Sequence, residues 1–394
     1  ILYFIIYKIV RNKKISYLTA FIGGTIPIFL KLTTNTFLSD TLAIPLFFLS
    51  LYFLLDLNDN RNAYYFMAIA IALMLTNSLS ILLVLSLLFY LTIIKSTNLK
   101  NKSKEFEITL FTSFLVIWFT VLIFKNAFLL HGYSTIWQNI PSQILQVYFA
   151  EISFLEAIYA IGIIPFVTGI IVMYKYLINR QKRSIYLFSS VIIISFILMW
   201  FRLIKSTTSL TILGISLIII SSQFYKDFLD NFFKTRLPFK KKILTCLIIL
   251  FIIVSIVPSL GHMQQAKESA FSEQEIDAIE WLATETKNDS IIACMYNEGH
   301  IINYLSNKNT LLNQNFLSFK DSQQRLTAQN HIFSSSFVTN ALRETTKYNI
   351  DYIYFSPKAR DYFMLGSIPY INNECFEKEY NNEKVEIYRV RCII

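Results

Sequence analysis

The stretch AYYFMAIAIALMLTNSLSILLVLSLLFYLTII, residues 63–94, is apolar except for one polar interruption, TNSLS at 76–80. As a single helix it would be about 48 Å long at 1.5 Å per residue, well beyond the roughly 30 Å hydrocarbon core of a bilayer. As two short helices joined at TNSLS it crosses twice. That choice sets the sidedness of everything that follows it.

Apolar runs recur on both sides of this stretch. Segments 1–10, 15–30, 41–57, 107–124, 155–177, 185–201, 206–223 and 243–258 join the two halves, 63–76 and 78–94, to give about ten transmembrane segments. Charge tests the count. Loops 8–14, 56–62, 95–105, 174–184 and 224–242 hold 19 Lys and Arg, whereas the alternate loops hold four, Lys31, Lys125, Arg202 and Lys205. The split exists only if 63–94 crosses twice, and it makes every strongly basic loop cytoplasmic. The C-terminal part then lies outside the cytoplasm, as does Asp40.

The totals agree with a polytopic membrane protein. The chain is 54% hydrophobic and 16% charged, with mean hydropathy +0.47, where a soluble domain of this length carries more charge. A net charge of +10 raises the question of nucleic acid. Its distribution answers it: residues 1–261 carry 23 basic and 9 acidic side chains, and residues 262–394 carry 13 and 17. The basic excess belongs to the loops between spans. The first residue, Ile1, falls inside an apolar run, so an N-terminal portion is expected to be missing.

From residue 262 the texture changes. SEQEIDAIEWLATETK (272–287) has an N-cap serine, an acidic first turn and apolar residues at helical spacing. SIIACMY, NTLLN and DYIYFS read as strands, HIINYLSN, 321–333 and 336–347 as helices, and CFEKEY with NNEKVEIYRVRC as a closing hairpin. The expected architecture is a multi-span membrane domain over 1–261 followed by a small extracytoplasmic soluble α/β domain over 262–394. Of four cysteines, Cys375 and Cys392 can bridge across the hairpin or remain free thiols. There is no CxxC or Cys/His cluster to suggest zinc.

Three ionisable residues fall on the outer side of the membrane part. Asp40 opens the third segment in FLSDTLAIPLFF, Glu151 precedes the seventh, and Arg202 closes the eighth. Ionisable groups at a membrane edge are candidates for function. Oxygen ligands for a divalent cation and a guanidinium for a phosphate would suit a phosphate-linked substrate held in lipid. Each has a plain structural alternative. Asp40 can cap its helix, Arg202 with Lys205 can snorkel to headgroups, Glu151 can be a solvated loop acid with Glu156 as competitor, and Asn77 in TNSLS can be polar filling.

These motifs resemble the GT-C glycosyltransferase superfamily, especially the catalytic subunit of oligosaccharyltransferase and its archaeal and bacterial relatives. TNTFLSDTLAIPLFFLSLYFLL is similar to the family's second acidic loop motif, with Asp40 at its aspartate. FRLIKSTTSLTILGISL is similar to its Arg-then-span element, with Arg202 as the donor-phosphate arginine, and VYFAEIS would place Glu151 near the acceptor. EIDAIEWLATETKNDSIIACMYNEGHIINYLSNKNTLLNQNF is similar to the region around the family's WWDYG motif. There this chain reads Met295-Tyr296-Asn297-Glu298-Gly299, and only the glycine matches.

The resemblance implies a membrane glycosyltransferase using a polyprenyl-phosphate-type sugar donor. Asp40 would hold a divalent cation, Mg²⁺ or Mn²⁺, and Tyr296, Asn297 and Glu298 would lie on the acceptor side. The degenerate WWDYG position argues against the sequon pocket of protein N-glycosylation. The family's first acidic loop would precede residue 1, so the chain as given can lack the principal catalytic aspartate. The alternatives are a non-catalytic GT-C-like membrane protein or scaffold subunit, and a transporter. The lack of internal repeats and the peripheral placement of the candidate residues argue against the transporter.

Overall fold

The computed structural model describes residues 1–34, 39–57, 59–97, 103–149, 152–178, 182–235, 239–268, 270–371 and 374–394. In chain order its first helices are α1 (Leu2–Val10), α2 (Lys13–Gly24), α3 (Pro27–Thr33), α4 (Ser39–Leu54), α5 (Asn60–Thr76), α6 (Leu79–Ser96), α7 (Ser103–His131), α8 (Ser142–Tyr148), α9 (Phe154–Ile161), α10 (Ile163–Ile178), α11 (Arg183–Trp200), α12 (Ser206–Lys234) and α13 (Lys240–Glu268). The chain divides into two compact units, one of residues 1–124 with 148–269 and one of residues 125–147 with 270–394.

In the first unit every apolar segment of the sequence is a helix or a bent pair of helices. The long run 63–94 is α5 and α6, which part at Asn77. Five helical stretches among the described residues are long and apolar enough to cross a membrane, or seven if each bent pair is one span. This is fewer than the ten expected, because α1, α4 and α5 have only 9, 16 and 17 residues. The bends have local causes. Between α2 and α3 the chain turns by 58° at Pro27, which lacks an N–H and starts the new helix. Between α9 and α10 it turns by 96° at Gly162, whose φ of 96° suits glycine.

Helix α12 is the axis of this unit. Residues 208–223 along it are all buried, and it packs against α1, α2, α10 and α11. Its buried face is rich in small and hydroxyl-bearing residues, Ser209, Thr211, Gly214, Ser216 and Ser221 among them, which let neighbouring helices approach closely. Gly169 of α10 shows how closely: a Cβ there would lie 3.0 Å from the carbonyl oxygen of Leu217. By contrast α7 and α13 turn apolar side chains such as Phe114, Trp118, Leu250 and Val257 outward, as helices facing lipid do.

The second unit is built on a five-stranded sheet. Its strands are β1 (Ile291–Ala293), β2 (Asn309–Thr310), β3 (Tyr352–Phe355), β4 (Phe376–Asn381) and β5 (Glu386–Val390), in the order β2-β1-β3-β5-β4. The first three pair in parallel and β5 pairs antiparallel with β3 and β4. Helices α14 (Glu273–Glu285), α15 (Gly299–Ser306), α16 (Ser322–Ser334), α17 (Val338–Lys347) and α18 (Pro357–Phe363) complete it.

Both sheet faces are covered, and strand alternation sorts the core into two. Ile292, Cys294, Tyr352 and Tyr354 pack in one cluster with Ile279 and Leu282 of α14. Ala293, Ile353 and Phe355 pack in the other with Ile332 and Phe333 of α16. Helix α14 starts with the expected capping box, the Glu275 carboxylate accepting from the Ser272 backbone N–H and hydroxyl at 2.8 Å each. Cys375 and Cys392 form a disulfide that closes the hairpin across 17 residues.

The segment 125–147, expected as part of a long loop of the membrane part, belongs to this second unit. Asn139 donates to the carbonyls of Phe316 and Phe319 at 3.0 and 2.9 Å. His131 bonds the Leu317 carbonyl at 2.9 Å, and Ser322 donates to Asn139 O at 2.9 Å. These side-chain bonds engage backbone carbonyls of the 316–319 turn and of Asn139.

Candidate functional site

Asp40 lies in the first turn of α4, half-buried, where an acid favours the helix dipole. Both of its oxygens are engaged. Asn77 Nδ2 donates to Asp40 Oδ1 at 2.6 Å and also reaches Ser39 Oγ at 3.0 Å. Thr208 Oγ1 donates to Asp40 Oδ2. Asn77 is itself fixed, because its Oδ1 accepts the Leu79 N–H at 3.0 Å and so caps α6. TNSLS is therefore more than filling. It breaks the helix and delivers an amide to the carboxylate.

Thr208 stands in the first turn of α12, six residues after Arg202, and is 3% exposed. The start of α12, which follows the turn carrying Arg202, is thereby tied to Asp40. Arg202 has left-handed backbone, φ 55°, in a helix-ending motif. Its N–H donates to Met199 O at 3.0 Å, and the Leu203 N–H donates to Leu198 O at 2.9 Å. That position usually belongs to glycine, and an arginine there pays about 1 kcal/mol in backbone strain. Strain held at a polar turn between two apolar helices directs attention to the side chain. Arg202 is exposed.

Glu151 lies outside the described residues. Its competitor Glu156 is committed locally, exchanging capping-box hydrogen bonds with Ser153 at the start of α9. The sequence reading missed Thr208 altogether, although the run STTS after Arg202 marked a polar entry to an otherwise apolar helix.

In the second unit, the turn Met295–Gly299 joins β1 to α15. Tyr296 and Asn297 are partly exposed, and the Tyr296 ring lies 6.1 Å from that of Phe316. Glu298, expected beside them on the acceptor side, is instead fully buried. Its Oε2 accepts from Ser356 Oγ at 2.8 Å, while Oε1 has no hydrogen-bond partner among the described residues. Burial pushes its carboxyl up to about 7, against the opposing pull of Lys358 and the Ser356 hydroxyl. The correction has a steric reason. Gly299 lets α15 begin hard against Leu312, where a Cβ would collide with the Leu312 carbonyl oxygen and lie 2.9 Å from Asn313 Cβ. The tight turn rolls residue 298 inward.

Residues 1–124, which include Asp40 and Asn77, match the family model described as dolichyl-phosphate-mannose-protein mannosyltransferase. The chain is similar in structure to the archaeal oligosaccharyltransferase AglB of Archaeoglobus fulgidus, solved with an inhibitory peptide and a dolichol-phosphate, with TM-score 0.59 and 12% identity over 90% of this chain and 56% of AglB. The fold is that of GT-C membrane glycosyltransferases. A second GT-C structure, ArnT of Cupriavidus metallidurans bound to undecaprenyl phosphate, matches with TM-score 0.52 and 11% identity over 98% of this chain and 81% of ArnT. The chain spans little more than half the length of AglB. No curated protein matches the sequence.

One AglB structure of the same organism is a complex with zinc and sulfate, and it matches with TM-score 0.54 and 12% identity over 99% of this chain and 59% of AglB. The described residues here do not fit a divalent cation by themselves. Asp40, expected as a metal ligand, presents one carboxylate whose two oxygens already accept from Asn77 and Thr208. No group of three or more Asp, Glu, His or Cys gathers among the described residues.

Proposed function

We infer that the protein is a membrane glycosyltransferase that moves a sugar from a polyprenyl-phosphate-type lipid to an acceptor on the non-cytoplasmic face. The observation that carries the reading is the junction at Asp40. A carboxylate, an amide and a hydroxyl from three chain segments are preorganised at one end of the α4–α6–α12 bundle, the carboxylate and the amide within the region that matches the mannosyltransferase model. The bond between the anomeric carbon and the phosphate oxygen breaks, and a bond from that carbon to an acceptor oxygen forms. The acceptor hydroxyl gives up a proton, and the phosphate leaves with the electron pair.

Asp40 supplies a fixed negative charge to orient the acceptor and draw off that proton. Arg202 pairs with the leaving phosphate, for which a planar guanidinium is well shaped. Glu151 is assigned to the acceptor side of the membrane part, and Tyr296 with Asn297 to the acceptor side of the second unit. Glu298 braces the turn that presents them.

Sidedness rests on two independent features. Basic loops alternate with neutral ones in a way that ten crossings explain, and the Cys375–Cys392 disulfide belongs to an oxidising compartment. The decisive experiment is transfer of labelled sugar from a polyprenyl-phosphate donor by the full-length protein. Activity that survives both Asp40→Ala and Arg202→Ala removes these residues from the mechanism. Met364, 92% exposed in the second unit, offers a site to test placement. Met364→Cys is expected to react with an impermeant maleimide added outside intact cells, and protection from it would overturn the assigned face.

A further inference from the structure

At the other end of the first unit lies a cavity of about 450 Å³. Leu54, in its wall, is 14 residues along α4 from Asp40, or about 21 Å of helical rise. The cavity is therefore distinct from the Asp40 junction. Its size falls within the roughly 300–1,000 Å³ typical of small-ligand sites. Its wall carries three cations, Lys8, Lys182 and Arg183, against one carboxylate, Glu105.

The cations are held in place by neighbours. Glu105 fixes the Arg183 guanidinium with contacts of 3.2 and 3.3 Å. Lys182 Nζ donates to Ile9 O at 3.0 Å and to Gln223 Oε1 at 2.9 Å. Lys8 pairs with Asp56 at 3.5 Å. Burial, with Lys226 and Arg11 nearby, pushes the Lys182 ammonium below its ordinary range, and Asp227 offsets this only in part. Cations around this wall outnumber acids, with Lys8, Lys182, Arg183, Lys226 and Arg11 against Glu105, Asp56 and Asp227. The same wall includes the start of α11, where Arg183 and Ser184 occupy the first two positions and Lys182 provides no side-chain cap. The dipole of α11 adds to the positive field at this end.

The geometry points to a second binding site here, for a phosphate-bearing anion. The phosphate would sit among Lys8, Lys182, Arg183 and the α11 N-terminus, with Leu54, Leu55 and Leu187 beside any apolar portion. Two sources share this chemistry, the headgroup of an anionic phospholipid and a soluble phosphate. The site does not depend on the transfer reaction, and it can be tested whether or not sugar transfer is observed.

The test uses the full-length protein purified in neutral detergent, with the melting temperature and lipid retention by native mass spectrometry as readouts. The probes are phosphatidylglycerol, phosphatidylcholine and inorganic phosphate. Two variants control for folding. Lys8→Gln removes one cation. Ser184→Asp places an acid in the first turn of α11, where it favours the helix but repels an anion. Phosphatidylglycerol is expected to be retained over phosphatidylcholine, with each variant cutting retention roughly tenfold. Protection by inorganic phosphate alone, lost in both variants, upholds the site with a soluble ligand as its source. No preference for either phosphate probe, or a preference that survives both variants, overturns it.

Discussion

Two carboxylates, Asp40 and Glu298, carried similar expectations and have opposite surroundings. Asp40 is half-buried, and both of its oxygens accept hydrogen bonds from side chains fixed by other elements. Glu298 is fully buried, with one oxygen bonded and the other without a partner among the described residues. The first arrangement holds a charge ready at low reorganisation cost. The second disfavours the charge and ties the residue to the fold. Position beside a family motif does not tell these cases apart, whereas the supply of donors does.

The largest expected effect tests the buried side of this contrast. Gly299→Ala drives a Cβ into the Leu312 carbonyl and should cost the second unit roughly 4 kcal/mol or more. Hydrogen exchange at the β1 amides would report it, and unchanged protection would show that the turn can relax.

Next comes the pH dependence of Glu298. Its carboxyl titrates near 4.5 unfolded and at about 7 folded, so between these values the folded state holds the extra proton. Stability of the second unit is therefore greatest below the lower value, falls as pH rises through the window by about 3 kcal/mol, and levels off above it. Glu298→Gln should flatten that slope in exchange rates measured from pH 4 to 8. A slope that persists in the variant would place the proton elsewhere.

The fully hydrogen-bonded side of the contrast is tested through activity. Asp40→Ala should lower transfer about 100-fold, as losses of preorganised polar groups do, and Thr208→Val about tenfold. An equal loss in both would mean that the hydroxyl does more than orient the acid. The smallest effect concerns backbone. Arg202→Gly should relieve about 1 kcal/mol of strain and raise the melting temperature while depressing transfer. A variant that is both more stable and fully active would mean that the arginine serves no catalytic purpose.

Much of this was legible in the sequence because periodicity and charge report directly on burial. The two halves of 63–94, the helices 273–285 and 322–334, and the closing hairpin all follow from spacing, caps and turn residues. The disulfide was left open by the sequence, since two cysteines flanking a hairpin fix a possibility and only strand register brings them together. Span number was less directly legible, because apolar composition does not show where a helix stops, and five to seven of the described helical stretches have the length of a crossing. Thr208 and the inward roll of Glu298 were illegible for a different reason. Both depend on contacts between residues far apart in the chain, 168 residues from Thr208 to Asp40 and 58 from Ser356 to Glu298.

The docking of residues 125–147 onto the second unit also bears on biosynthesis. The Asn139 side-chain amide finds its partners at Phe316 and Phe319, 177 and 180 residues downstream. At 5–20 residues per second, the ribosome needs roughly 10–35 s to supply them. During that interval the segment must wait without its carbonyl partners, while five helices from α9 to α13 are still being made. A chaperone that shields it during this delay, or a pause that lengthens the delay, would therefore govern the yield of correctly assembled protein without touching any residue at Asp40.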